Sequence, residues 1–297
     1  MCWSRPVLMW NRFSLFVLMM VAVILPLSTS PVRSEIFRIA IPAGSESVFA
    51  TQIGAIRLAL EHAPGNHELQ IESVKGLTQS RVLTMLRDGA INLSLAGYSR
   101  EWEDQFLQED YPLTRGMMGY RVFFARPELA DHISNVQSID ELKRFCIGTG
   151  NDWLDTAILE ANDLCVVKAP QGDALFSMLR HGRFDMFHRA LHEAYVEQLA
   201  PTEDMKGLVL VPSLILRYPY DFFLYVQKND TQRHAILTEG LARAYESGDF
   251  MRHFYSNPGM AYAMDQVQSP THRILDIDNP EMSDQTRKIN PELWGGF

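Results

Sequence analysis

Cysteine is scarce in this chain. Only Cys2, Cys146 and Cys165 occur in 297 residues, too few and too scattered for a structural zinc site. Long apolar runs are scarce too. Residues 13–27 form the one that stands out, and its 15 residues fall short of the about 20 that a membrane span needs. Basic residues are outnumbered, 27 Lys and Arg against 36 Asp and Glu, which argues against nucleic acid or an anionic membrane surface as the main partner. Catalytic signatures are missing as well: no G-x-S-x-G turn, no G-x-x-x-x-G-K-[ST] phosphate loop and no H-E-x-x-H. His188, His192 and Glu193 lie close together but in the wrong order for that last motif, and read as structural or surface residues. No cofactor or metal is implied.

What is present begins with a leader. Arg5 and Arg12 precede the apolar run, and small residues, Ser28, Thr29 and Ser30, follow it. Charge, apolar core and small residues, in that order, describe a secretory signal peptide over residues 1–34, cut between Ser34 and Glu35, with the uncleaved anchor as its competitor. Cutting there removes three of the 27 basic residues and no acid, so the mature charge is −12 rather than −9. The expected location is periplasmic. Cys146 and Cys165 are then the two remaining thiols in an oxidising compartment, each at the start of a strand of one β-α-β unit, and a disulfide is expected between them.

The middle of the chain repeats itself. Strand, loop, helix, strand, helix, strand is legible over residues 36–96 and again over 145–188. The second helix of each set closes in similar words, "TMLRDGAINLSLAG" and "SMLRHGRFDMFHRA". Gly89 and Gly182 sit where a left-handed residue ends a helix and turns the chain into a strand. Met85, Leu86, Met178 and Leu179 are core positions of those helices. Two such sets mean an α/β fold of two doubly wound lobes joined by a two-segment hinge. The boundaries are 35–117 and 218–297 for the first lobe and 118–217 for the second, with crossings at 116–119 and 217–220. Ligands of such sheets bind outside the carboxyl ends of the strands. The loops there are 43–46, 97–100, 148–153 and 187–189.

The chain resembles the type II periplasmic solute-binding proteins, in particular their polar amino-acid-binding branch, over nearly all of residues 36–262. "INLSLAGYS" looks like that branch's strand and Gly-x-Ser/Thr turn. "SIDELKRFCIGTGNDW" looks like the segment that leads into its second lobe, and "ARAYESGDFMRHFY" like its closing helix pair. The resemblance implies a hinged receptor that closes over a small solute and presents it to a membrane transporter, with Gly97 and Ser99 touching solute from lobe one and Thr149 and Gly150 from lobe two. Two positions depart from the pattern. Asp104 stands where those proteins carry a carboxylate-clamping arginine, with Arg100 nearby, and Ala190, beside Arg189, stands where they carry an acid for the amino group.

On the residues themselves, Thr149, Gly150 and Asn151 lie where a strand hands over to a helix, a place for backbone N–H groups to hold an anion. Asp152 competes as a plain helix cap. Trp153 offers a ring face to a solute or to the other lobe. Arg189 at a strand end offers a bidentate fork for a carboxylate, or an ion pair with Glu193 or Asp185. Ser45 belongs to the first strand-end loop. Together these residues lead to the expectation of a monomeric receptor for a small anionic or carboxylate-bearing metabolite, partnered by a transporter permease. The alternatives are an exported dehydratase-like enzyme using Glu46, Asp152 or Glu193 as acid or base, and a sensor that reports to a membrane receptor.

Overall fold

The computed structural model describes residues 1–3, 34–170 and 172–295. The expected leader lies almost wholly outside the described residues, with Ser34 and Glu35 at their edge. Eleven strands occur among them: β1 (Ile36–Pro42), β2 (Glu68–Val74), β3 (Ser94–Gly97), β4 (Phe106–Glu109), β5 (Tyr120–Ala125), β6 (Ile147–Gly150), β7 (Val166–Ala169), β8 (Met186–Ala190), β9 (Val209–Arg217), β10 (Phe222–Gln227) and β11 (Arg273–Asp276).

In the first lobe, β1 pairs in parallel with β2, and β10 lies antiparallel between β3 and β4. Asn92 joins the two groups. Its side-chain oxygen accepts from Arg38 N at 2.7 Å and its amide donates to Ile36 O at 2.8 Å, so the turn before β3 is stitched to β1. Alternation along β1 buries Phe37, Ile39 and Ile41. Helix Ala50–His62 covers them with Ile53, Ile56 and Leu60, and helices Thr231–Glu246 and Asp249–Ser256 pack on it from outside. Helix Gln79–Arg87 starts at the Thr78 cap, whose hydroxyl accepts from Arg81 N, and turns off at Gly89 with φ +77°.

The second lobe is built on a six-stranded sheet in the order β11-β9-β5-β8-β6-β7. Gly182, φ +70°, ends helix Leu175–Arg180 as Gly89 ends its counterpart, and Leu86 and Leu179 are both fully buried. Cys146 and Cys165 form a disulfide beside the parallel pair β6–β7, where Ile147 N donates to Cys165 O at 2.7 Å.

Two features depart from the sequence reading. The sequence places residues 218–297 in lobe one, yet helix Pro258–Gln268 packs on helix Leu191–Leu199 and β11 extends the six-stranded sheet beside β9. The chain then returns to lobe one, where Ser283 N donates to Tyr98 Oη at 2.6 Å and Trp294 packs on Phe223. The second departure is a shift of two residues. Gly148, Thr149 and Gly150 are strand rather than loop, registered against Val167, Lys168 and Ala169.

Candidate functional site

A cavity of about 530 Å³ opens between the two lobes. Lobe one supplies its upper wall from Pro42, Ala43, Ser45, Phe49, Leu77 and Gln79. Lobe two supplies Trp153, Phe176, Phe187, Arg189, Glu193 and Glu197. Met118, Arg121, Tyr220 and Phe222, at or beside the crossing segments, line it as well. Much of the surface is aromatic, and Phe49 stacks on Phe222 at 6.0 Å within lobe one.

The polar part is a buried ion-pair chain that begins where β5 leaves the crossing. Arg121 is 3% exposed and faces Ala190 across the β5–β8 pair. Its guanidinium lies 5.7 Å from the Tyr218 ring and 5.6 Å from the Tyr220 ring. Nη2 donates to Asp155 Oδ2 at 2.7 Å, Tyr218 Oη donates to the same oxygen at 2.9 Å, and Nη1 is 3.6 Å from Glu193 Oε2. Burial acts to lower the Arg121 pKa, but Tyr218, Asp155 and Glu193 outweigh it and hold the group charged.

Glu193 sits in the first turn of helix Leu191–Leu199, where its carboxylate accepts from Ala190 N at 3.0 Å. Burial acts to raise it, while Arg189 and Arg121 pull it down, with the net shift downward. Arg189 closes the chain. Its Nε lies 2.8 and 3.1 Å from the two Glu197 oxygens, its Nη1 3.3 Å from Glu193 Oε2, and its guanidinium stacks against Trp153 and Phe187. Glu197 is pushed up by burial despite Arg189's pull.

His188 and His192 lie under this chain, 0% and 3% exposed, with no hydrogen-bond partner for either ring. Burial, with the charge of Arg121 and Arg189, pushes both down to about 4, so they are neutral imidazoles. Among the described residues no three metal-binding side chains come together.

The residues singled out from sequence divide. Ser45, Trp153 and Arg189 line the cavity. Thr149 is fully buried with its hydroxyl against Thr156 Oγ1, and Asn151 N, one donor of the expected anion cradle, donates to Ala169 O at 2.7 Å. Gly150 serves packing: a Cβ there would lie 2.3 Å from Trp153 Cδ1. Gly97 leaves room for Tyr220, whose hydroxyl would lie 1.7 Å from an added Cβ. Ser99 caps helix Arg100–Gln105 by accepting from Trp102 N at 3.2 Å, and Arg100 is exposed on that helix. Asp152 spans the cleft instead of capping its own helix. Its Oδ2 accepts from Ser80 N at 2.9 Å and Ser80 Oγ at 3.1 Å, at the start of helix Gln79–Arg87, while Leu154 N donates to Gln79 Oε1 at 3.3 Å. Sequence reading passed over Arg121, Asp155, Tyr218, Tyr220 and Glu197. A lone arginine inside the apolar strand "YRVFFA" was the available signal, since a charge there must find partners.

No family model matches the chain, and no curated protein matches it in sequence. Solved structures do match in fold. One is an amino acid ABC transporter substrate-binding protein from Streptococcus pneumoniae bound to L-arginine, at 12% identity and TM-score 0.56, covering 75% of this chain and 93% of that one. Another is the GluR0 ligand-binding core from Nostoc punctiforme in complex with L-glutamate, at 15% identity and TM-score 0.52, covering 75% and 99%. A third is a histidine kinase sensor domain with similarity to periplasmic binding proteins, at 14% identity and TM-score 0.56, covering 75% and 96%. The chain therefore has the type II periplasmic binding-protein fold, which is what identities this low establish.

Proposed function

We propose that this protein is a solute receptor that takes a small molecule between its two lobes and presents it to a membrane transporter. The observation that carries the reading is the cavity itself, walled by strand-end loops of both lobes and lined also by residues of the crossing segments. The fold neighbours include transporter substrate-binding proteins, which supports delivery to a permease, and a sensor domain, which supports reporting to a receptor as the second reading. Catalysis has less behind it. Glu46 is exposed and bonded to Ser73, Asp152 is held by Ser80, and Glu193 is held by Ala190 N, Arg121 and Arg189. None is a free acid or base facing a partner of matched pKa. The carboxylate-bearing solute expected from Asn151 and Arg189 finds the first donor bonded to Ala169 and the second already paired with two carboxylates. Export belongs to the same reading, since Glu35 O accepts from Glu68 N at 3.0 Å and the mature chain would begin at the edge of lobe one's sheet.

The test is small-angle scattering with a thermal-shift screen of small solutes. A receptor shows a solute that raises the melting temperature and contracts the radius of gyration together. A solute consumed on incubation would favour the enzyme. N-terminal sequencing of exported protein should begin at Glu35.

A further inference from the structure

Five carboxylates and two guanidiniums line the cavity: Asp152, Asp155, Glu193, Glu197 and Asp204 against Arg121 and Arg189. Some of this is settled locally. Asp204 lies 3.3 Å from Arg180, and Asp152 rests on the start of a helix of lobe one. What is left is three carboxylates, Asp155, Glu193 and Glu197, around two guanidiniums, Arg121 and Arg189: one carboxylate in excess, with Glu197 the one that burial pushes up. His188 and His192 do not supply the balance, because both are buried as neutral rings. Buried charge left unbalanced is costly, and a ligand of opposite sign relieves it. Glu197 is the most open of the three, with its side chain 15% exposed against 4% for Asp155 and 6% for Glu193. Trp153, Phe176 and Phe187 line the same cavity, and the Trp153 and Phe187 rings already carry one cation, the Arg189 guanidinium.

We propose that the cavity selects a cationic, amine-bearing solute with an apolar body, and that Glu197 is the carboxylate that meets its charge. The proposal rests on the receptor reading and adds the sign of the solute. Arg121 donates to Asp155, lies 3.6 Å from Glu193 and keeps an unpartnered Nε that is itself buried, while Arg189 is held by Glu193 and Glu197. An anion would have to displace one of these carboxylates and add to the excess. An ammonium needs only to approach Glu197 from the open side.

The test is calorimetry with charge-inverted pairs of one skeleton: phenethylamine against 3-phenylpropionate, tryptamine against indole-3-propionate, and putrescine against adipate. The expected result is that the tightest binder is an amine, at least about 10-fold tighter than its carboxylate twin, as loss of a charge-assisted contact of this kind implies. Glu197→Gln should weaken that amine about 10-fold or more, and Glu197→Asp, which keeps the charge, should retain the preference for the amine. A carboxylate twin that binds as tightly, or an amine indifferent to Glu197→Gln, overturns the proposal and leaves the receptor standing. Binding of neither series would overturn the proposal as well, while the receptor reading is decided by the wider solute screen.

Discussion

The carboxylate of Asp221, just after the returning crossing, bonds the amide and hydroxyl of Thr114, just before the outgoing one, and so ties the two together. Thr114 N lies 3.0 and 3.2 Å from the two Asp221 oxygens, and Thr114 Oγ1 donates to Oδ2 at 2.9 Å. Gly116 N and Phe222 N donate to the same fully buried group. One side chain of the returning segment thus fixes the outgoing one.

Asp221→Asn should therefore destabilise the fold by about 2–4 kcal/mol, because the new amide turns an N–H toward groups that are themselves donors. A urea midpoint unchanged from the parent would refute this.

Arg189→Ala is expected to lower stability rather than act on binding alone. Without the guanidinium, Glu193 and Glu197 face each other across a buried space, and breaking a buried pair costs about 3–5 kcal/mol. Chemical denaturation without solute checks it: an unaltered midpoint would return Arg189 to the role of a free solute clamp.

The Asp152–Ser80 contact holds the lobes together across the mouth of the cavity. A carboxylate at a partly exposed helix start contributes on the order of 1 kcal/mol. Asp152→Ala should enlarge the radius of gyration of the solute-free protein, and Ser80→Ala added to it should do little more. Equal and additive effects of the two substitutions would show that they do not act as one contact.

Acid titration should reveal two opposing slopes. His188 and His192, near 4 when folded and about 6.5 when unfolded, bind protons only in the unfolded chain between those values, so they make stability rise with pH. Glu109 and Asp221, raised by burial to about 7, bind protons only in the folded chain between about pH 4 and 7, so they make stability fall with pH. At about 1.4 kcal/mol per pKa unit the two pairs nearly cancel. The parent should be almost flat from pH 4.5 to 6.5, while Glu109→Gln should gain stability as pH rises. Unfolding free energies at the two pH values decide it, and a variant as flat as the parent counts against the assignment.

Periodicity made the repeat legible. Strands β1, β2 and β5 carry clean alternation or a dense apolar run, and Gly89 and Gly182 mark the same helix stop in both lobes. Strand β9 escaped because Pro212 interrupts it: pairing with β5 jumps from Leu216 opposite Arg121 to Val211 opposite Phe123. The Gly-Thr-Gly segment was misplaced for a different reason. Glycines there signal a turn in sequence, but what they accommodate is Phe184 packed over Gly148 and Trp153 packed over Gly150. Pairs that matter most to the site, such as Arg121 with Asp155, join residues 34 apart in the chain, and no local pattern announces them.

Strand β10 lies between β3 and β4 although all of β5 to β9 is made in between. A chain emerging from a ribosome or an export channel thus releases β3 and β4 long before the strand that separates them. Their facing edges stay open until Phe222–Gln227 appears, by which time the second sheet lacks only β11. Both lobes thus wait on strands made late in the chain, β10 for the first and β11 for the second, and the half-made chain carries unpaired edges of the kind that recruit holding chaperones.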